Sequence, residues 1–423
     1  MKKFVKTIAV IIVLAIILCL FVTGCKQEAV QTKEVSLTYS QYTAGAETLP
    51  ALQATLDAFM KANPNITVKY EAIGFEEYFQ QMATRIAGGN PSDLFELNVE
   101  NIYSYASRDQ LYDVSNLISK TKFDTKSIYE GAFKAFSYKG KQYGMPPQFN
   151  TVVLFYNKDL FDRAGVAYPT KDWTWKDEVD AGLKIRALGE DIFGSFQPIQ
   201  INEFYKVIVQ NGGSFLSSDG KSYTINSPEN VEALQWLADK VNKYKIMPTQ
   251  EELAGSGDWD LFCAGRLGMM KTGPWAFARF TKDCSFNWDI QVEPGNKAKA
   301  AHFFSDGIVM PFNAKSPDES FQLMKYMCGS KEAAQIRIDM NWAIPALNDQ
   351  SVLKGWLSKT PPTNRQAVFD SIQYAVLPPA LANWSEIQTI FNTELDAVRD
   401  GKESSQQALD KLQTDISAKF PLK

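Results

Sequence analysis

The sequence predicts an α/β protein with a parallel sheet, divided into two domains. Two observations carry that class and a third points to a site. Residues 35–97 alternate strand-like and helix-like patterns as β-α-β-α-β, the order that gives parallel strands with right-handed crossovers. The chain has 423 residues, more than one small core accommodates, which makes two domains the expectation. Near the middle, residues 262–275 read FCAGRLGMMKTGPW. The apolar run at 267–270 has the length of a buried strand. Gly273 and Pro274 stop it, and Pro suits the first position of a helix. Trp275 then falls on the opening turn of a helix through Ala276, Phe277 and Phe280, beside unpaired backbone N–H groups. Corners of this kind line ligand crevices in α/β proteins. Large rings also fill cores, and spacing alone leaves both uses of Trp275 open.

The first 24 residues read as a secretory leader. Lys2, Lys3 and Lys6 precede a nearly unbroken hydrocarbon run at 8–21. That run is shorter than the roughly 20 residues a spanning helix needs. It ends in Val22-Thr23-Gly24-Cys25, which is similar to a bacterial lipobox, whose Cys becomes the lipid-bearing first residue after cleavage. Cys25 is therefore the expected lipid anchor on the outer face of the cell membrane, or on the periplasmic side where there are two membranes. Residues 25–34 are the expected polar tether.

Removing the leader's three lysines from 44 Lys+Arg leaves 41 against 48 Asp+Glu, a net charge of −7 spread along the chain. A nucleic-acid partner would need a basic face, so none is expected. The aromatic content is high, with 9 Trp, 17 Tyr and 27 Phe. That suits a carbohydrate cleft, because sugar rings stack their apolar C–H face on aromatic rings. Beyond Cys19 and Cys25, the cysteines are Cys263, Cys284 and Cys328. They are widely spaced and odd in number, so they form no disulfide framework. At most one pair can bridge, and Cys263 and Cys284 are the nearest in sequence. The single histidine, His302, and the lack of a CxxC leave no metal or redox set and no cofactor expectation. They also exclude most Ser-His-Asp and Cys-His mechanisms, unless His302 itself is the base.

In order, residues 35–40 alternate as a strand and residues 41–47 form a Gly-containing loop. A helix opens near Thr48 with Pro50 in its first turn and Leu52, Leu56 and Phe59 as its stripe. Asn63-Pro64-Asn65 ends it. Residues 66–70 are a strand, 75–87 a helix and 93–97 a nearly apolar strand. Loops at the carboxyl ends of such strands meet ligands, which singles out Gln41, Tyr42 and Thr43, then Asn98, Glu100 and Asn101. The Pro-rich stretch 143–150 breaks the rhythm before a strand at 151–156. Thr174 is a candidate N-cap for a helix bearing Val179, Leu183, Ile185 and Leu188. Ser227 caps another, with Pro228 at its first position. Ile387, Ile390, Phe391, Leu395 and Val398 lie in helical register, and Leu409, Leu412, Ile416 and Phe420 continue the pattern.

Several stretches together carry a resemblance. They are FMKANPNITV at 59–68, FYNKDLFDRAG at 155–165, WTWKDE at 173–178, QNGG at 210–213, VEALQWLA at 231–238 and the stretch 262–275. With the lipobox, in this order, the chain resembles the extracellular solute-binding proteins of family 1, the sugar-binding lipoproteins of ABC importers. The first loop, SQYTAGAET, lacks the charged or Trp-rich pair of some maltodextrin binders, which argues against maltose-type specificity. The resemblance implies a two-lobed periplasmic-binding-protein-like fold, each lobe a mainly parallel sheet flanked by helices, with the ligand cleft between lobes. It implies an N-terminal lobe at 35–148 and 303–346, and a C-terminal lobe at 151–300 and 350–420. The hinge would lie near 148–150, 295–301 and 345–349, and lobe closure around ligand would be the functional motion.

The implied function is reversible capture of a sugar or oligosaccharide by a monomer, with delivery to ABC permease subunits and no catalysis. The resemblance makes Trp275 a sugar-stacking platform. Trp342, Glu100, Asn98, Asn150, Gln41, Tyr42, Gln200, Glu203 and Trp384 are further ligand candidates, and Glu47 and Gln197 belong to the same loops. Carboxylates and amides suit this role because they bridge neighbouring hydroxyls. Trp173 and Trp175 are read as structural. The competing readings are the same fold with a non-sugar ligand (glycerol phosphate, a polyamine or a peptide) and a secreted glycoside hydrolase. The hydrolase needs two carboxylates at roughly 5–10 Å, and no motif assigns such a pair.

Overall fold

A computed structural model describes residues 34–43, 45–253 and 255–422. The leader, Cys25 and nearly all of the tether lie outside the described residues. The chain divides into Met1–Val35 and Ser36–Lys423; apart from Val35, which opens the first strand, every described element belongs to the second unit.

The opening alternation forms as expected: β1 (Val35–Thr43), α1 (Leu49–Ala62), β2 (Ile66–Gly74), α2 (Phe75–Ala87) and β3 (Leu94–Asn98). In α1 the stripe of Leu52, Leu56 and Phe59 is fully buried. Each such side chain contributes roughly 1.5–3 kcal/mol by leaving water. The Pro-rich stretch is β4 (Gly144–Thr151), and β5 (Val153–Asn157) follows after one residue. Next come α3 (Trp175–Arg186), β6 (Phe193–Phe196), α4 (Ile201–Gln210) and α5 (Pro228–Asn242). Thr174 caps α3 through a capping box with Asp177, and the Ser227 side chain accepts from the Asn230 N–H to cap α5. The central stretch gives α6 (Asp258–Cys263), β7 (Leu267–Thr272), a short 3₁₀ turn at Pro274–Ala276 and α7 (Phe277–Asp283). Then follow β8 (Trp288–Gln291), β9 (Ala301–Val309), α8 (Pro317–Gly329), α9 (Lys331–Asp339) and β10 (Ile344–Pro345). The chain ends through α10 (Gln366–Ile372), β11 (Ala375–Val376), α11 (Trp384–Arg399) and α12 (Ser405–Lys419).

Two sheets define two lobes. The first has the order β10–β4–β9–β3–β1–β2, with β11 paired to β9; the second has the order β8–β5–β7–β6. The expectation of mainly parallel sheets is corrected: both are mixed. β1 pairs with β3, and β6 with β7, in parallel. β9 runs antiparallel to both β3 and β4, and β5 runs antiparallel to β7 and β8. The cause is connectivity. β9 arrives from the second sheet instead of from a helix crossover, so nothing forces it parallel. The chain leaves the first sheet at Thr151 and enters the second at Val153. It returns between Gln291 and Ala301. α10 then packs on β4 and β9 of one sheet and on β5 and β8 of the other.

Close packing in the second lobe depends on glycine. A Cβ on Gly194 of β6 would stand 2.3 Å from the Gly182 carbonyl oxygen of α3, so the helix can lie directly on the strand only without one. The expected C-terminal stripes do form the core of this lobe: Ile387, Phe391, Leu395 and Val398 pack with Leu409, Leu412 and Ile416. Trp175 stacks on Trp236 at 3.9 Å between centroids, and its indole N–H donates to Gln210.

Candidate functional site

The cleft opens where the carboxyl end of β1 meets the corner after β7. It encloses about 560 Å³. From the first lobe, Gln41, Tyr42 and Thr43 come off β1, Glu96 off β3, Gln148 and Asn150 off β4, and Phe304 and Asp306 off β9. Trp342 enters just before β10, while Glu47, Thr48 and Phe75 close one side. From the second lobe come Trp259 of α6, Trp275 of the Gly-Pro-Trp corner and Arg279 of α7.

The corner is built to present the ring. A Cβ on Gly273 would meet the Trp275 indole at 2.1 Å, so the indole lies flat over glycine backbone. Its other neighbour is Phe304 of the opposite lobe, 5.4 Å between centroids. Trp275 stays partly exposed in the cleft. Trp342 is nearly buried, with the Arg337 guanidinium 3.9 Å over its ring. The cation braces a ring that also lines the cleft.

The floor is polar. Tyr42 Oη and Gln148 Nε2 both donate to the Asp306 carboxylate, and Arg337 Nη1 donates to Gln148 Oε1 at 2.7 Å. Burial pushes the Asp306 and Glu96 carboxyls up to about 8, with the Arg337 charge pulling the other way. Asn150 Oδ1 is buried with no hydrogen-bond partner. An orphaned buried acceptor is costly unless a donor arrives, and a ligand hydroxyl is such a donor. On the facing wall Arg279 pairs with Asp260 and Asp283. The described residues hold no cluster of metal-ligating groups.

Of the sequence candidates, Gln41, Tyr42, Asn150, Trp275 and Trp342 come together in this cleft, with Thr43 and Glu47 beside them. The other five do not line it. Asn98 donates to Glu100, and Glu100 faces His302 at 3.1 Å. All three are buried, and His302 packs edge-on against Tyr205 of α4. Trp384 is fully buried against Phe215 and Tyr205. It lies on the same helical face as Ile387, Phe391, Leu395 and Val398, which is why it joins the core and not the cleft. Gln200 is an exposed N-cap of α4.

Glu203 belongs to a buried ionic lattice. It takes Lys206, which also donates to Glu293 at 2.6 Å. Gln197 donates to Glu203 at 2.8 Å and accepts from Lys240 and Lys271. Both lysines also bind Glu178, at 2.6 and 2.8 Å. Burial opposes the Glu178 charge, but the two ammonium groups outweigh it and hold its carboxyl well below the usual carboxylate range. The three lysines and three glutamates of this lattice are all nearly inaccessible to water. Their polarity therefore serves the lobe, not a ligand.

Glu96, Gln148, Asp306, Phe304, Trp259 and Arg279 also line the cleft and were not among the expected residues. Two had a readable signal. Asp306 is a lone acid in an apolar strand, AHFFSDGIV, where an unpaired charge needs a reason. Arg279 stands four residues after Trp275, one helical turn on.

The pattern of the bacterial extracellular solute-binding proteins matches residues 54–362. The ABC substrate-binding protein Lmo0181 from Listeria monocytogenes, solved in complex with cycloalternan, is 43% identical with a TM-score of 0.89. The alignment covers 92% of this chain and 100% of that one. The maltodextrin-binding protein MdxE of Bacillus subtilis is 22% identical over 385 residues, 89% of this chain and 87% of its own. The arabinooligosaccharide-binding protein of the same organism is 26% identical over 244 residues, 56% of this chain and 55% of its own. The two-lobed α/β architecture and these matches agree: the chain belongs to the bacterial extracellular solute-binding proteins.

Proposed function

We propose that the chain captures a neutral oligosaccharide in the cleft and passes it to an ABC permease, without transforming it. The observation that carries this is the lining: three tryptophans, Trp259, Trp275 and Trp342, around a floor of Tyr42, Gln148, Asn150 and Asp306. Stacking rings beside amides and carboxyls is the arrangement that recognises both faces of a sugar, its C–H surface and its hydroxyls. The 43% identical Listeria protein, solved with cycloalternan, supports an oligosaccharide over a single sugar. Gln41, Tyr42, Asn150, Trp275 and Trp342 are the proposed contacts, with Glu96, Gln148, Asp306, Trp259 and Arg279 added. Among the described residues no helix is long and apolar enough to cross a membrane. Attachment through a lipid on Cys25, with the receptor acting as a monomer on the outer face of the membrane, completes the proposal.

A thermal-shift screen tests it, because a ligand stabilises the folded state by RT ln(1 + [L]/Kd), about 2.7 kcal/mol at 100 Kd. Cyclic and linear gluco-oligosaccharides, arabino-oligosaccharides, glycerol phosphate, a polyamine and a tripeptide are the panel. An oligosaccharide is expected to raise the Tm by several degrees and to be recovered uncleaved. A shift with glycerol phosphate, polyamine or peptide and none with any sugar would overturn the reading. So would cleavage of the sugar.

A further inference from the structure

Cys263 ends α6 and Cys284 caps the carboxyl end of α7. Their Sγ atoms are 2.8 Å apart, and both residues are half-buried free thiols. A disulfide bond is about 2.0 Å long, so the sulfurs are within about 0.8 Å of bonding. The two helices are already in register behind them, with Phe262 and Phe280 4.9 Å apart and Trp259 and Phe280 5.5 Å apart between centroids. The third described cysteine, Cys328, is buried and hydrogen-bonds the Met145 carbonyl. It has no part in this pair.

We propose that Cys263 and Cys284 form a disulfide in the exported protein, a staple across the ligand-facing wall of the second lobe. The segment it closes contains β7, the Gly273-Pro274-Trp275 corner and Arg279. It also ties the helix carrying Trp259 to the helix carrying Arg279. The bond therefore fixes three cleft-lining side chains relative to one another.

The chemistry is thiol–disulfide exchange with an extracytoplasmic protein disulfide as oxidant. The Cys263 thiolate attacks one sulfur of that disulfide, forming a mixed disulfide and releasing one thiolate of the oxidant. The Cys284 thiolate then attacks the Cys263 sulfur and releases the second. Two protons leave the pair, and the oxidant gains two electrons as a dithiol. Cys263 is suited to attack first. The hydrogen bond it shares with Cys284 and the nearby Arg279 guanidinium together hold its thiol below the ordinary value against partial burial. The same contact, with burial, pushes Cys284 up. Disulfides persist in oxidising compartments, so the inference rests on the extracellular placement of the family and not on which sugar binds.

The full chain, exported by its host and quenched in acid, is alkylated without reductant and mapped by peptide mass. The expected result is a linked peptide pair joining Cys263 to Cys284, two hydrogens lighter than the separate peptides. Recovery of both residues alkylated would overturn the proposal. In a second arm, reduction is expected to lower the Tm of the wild type by several degrees while leaving the Cys263→Ser/Cys284→Ser variant unchanged, because the bond restrains the unfolded chain. Equal sensitivity of the two proteins to reduction, or none in either, would also overturn it. Neither arm uses a ligand, so failure here is distinguishable from failure of the sugar reading.

Discussion

Trp275→Ala weakens oligosaccharide binding by roughly 30- to 1,000-fold, the 2–4 kcal/mol expected of a central tryptophan anchor. The Tm without ligand stays within about two degrees of wild type. The two halves of this expectation come from one geometry. The ring is partly exposed, lies over Gly273 and touches Phe304 across the cleft, so removing it enlarges the open cleft and leaves the sealed core intact. The residues behind it, Ala276, Phe277 and Phe280, remain buried. Calorimetric titration of wild type and variant with the sugar that gives the largest thermal shift measures it. An affinity within a few-fold of wild type would return Trp275 to the role of packing residue.

Glu178→Ala gives the largest expected loss of stability, about 3–5 kcal/mol, because it leaves buried ammonium groups without their carboxylate. Lys240 and Lys271 both point at Glu178 from within the second lobe, and each is fully buried. Lys240 also lies 3.8 Å over the Trp236 ring, which itself stacks on Trp175. Urea unfolding of the ligand-free protein, followed by tryptophan fluorescence, checks the prediction. A loss under 1 kcal/mol would mean that the lattice relaxes and takes up water. The two predictions separate cleanly: Trp275 acts on affinity and Glu178 on folding.

These two residues also mark what the sequence could show. The corner at Trp275 was legible because glycine and proline punctuate the chain locally, while spacing alone left the use of the ring open. The β-α-β-α-β start and the stripes of α1, α11 and α12 were legible for the same reason: periodicity is a local property. The ionic lattice was not. Its members come from positions 178, 197, 203, 206, 240, 271 and 293, and a charged residue in a helix reads as solvent-facing until the fold buries it. Glu203 and Gln197 were cleft candidates through the family resemblance, and only the fold shows them buried in the lattice. Trp384 misled in the opposite sense, since its register with Ile387 and Phe391 already marked a core face. The mixed sheets depend on β9 returning from the other lobe, a long-range event with no local signature. Asp306 and Glu96 join the floor of the cleft only because that strand pairs with β3 and β4.

The proposed function places an oligosaccharide in the cleft walled by Trp275 and Trp342. A crystal structure of the protein with the oligosaccharide selected by the thermal screen tests it most directly. The expected result is sugar rings stacked on Trp275 and Trp342, hydroxyls within hydrogen-bond distance of Asn150 Oδ1 and the Asp306 carboxyl, and both lobes touching the ligand. Sugar bound elsewhere on the surface, or in the cleft without contact to either tryptophan, would contradict it.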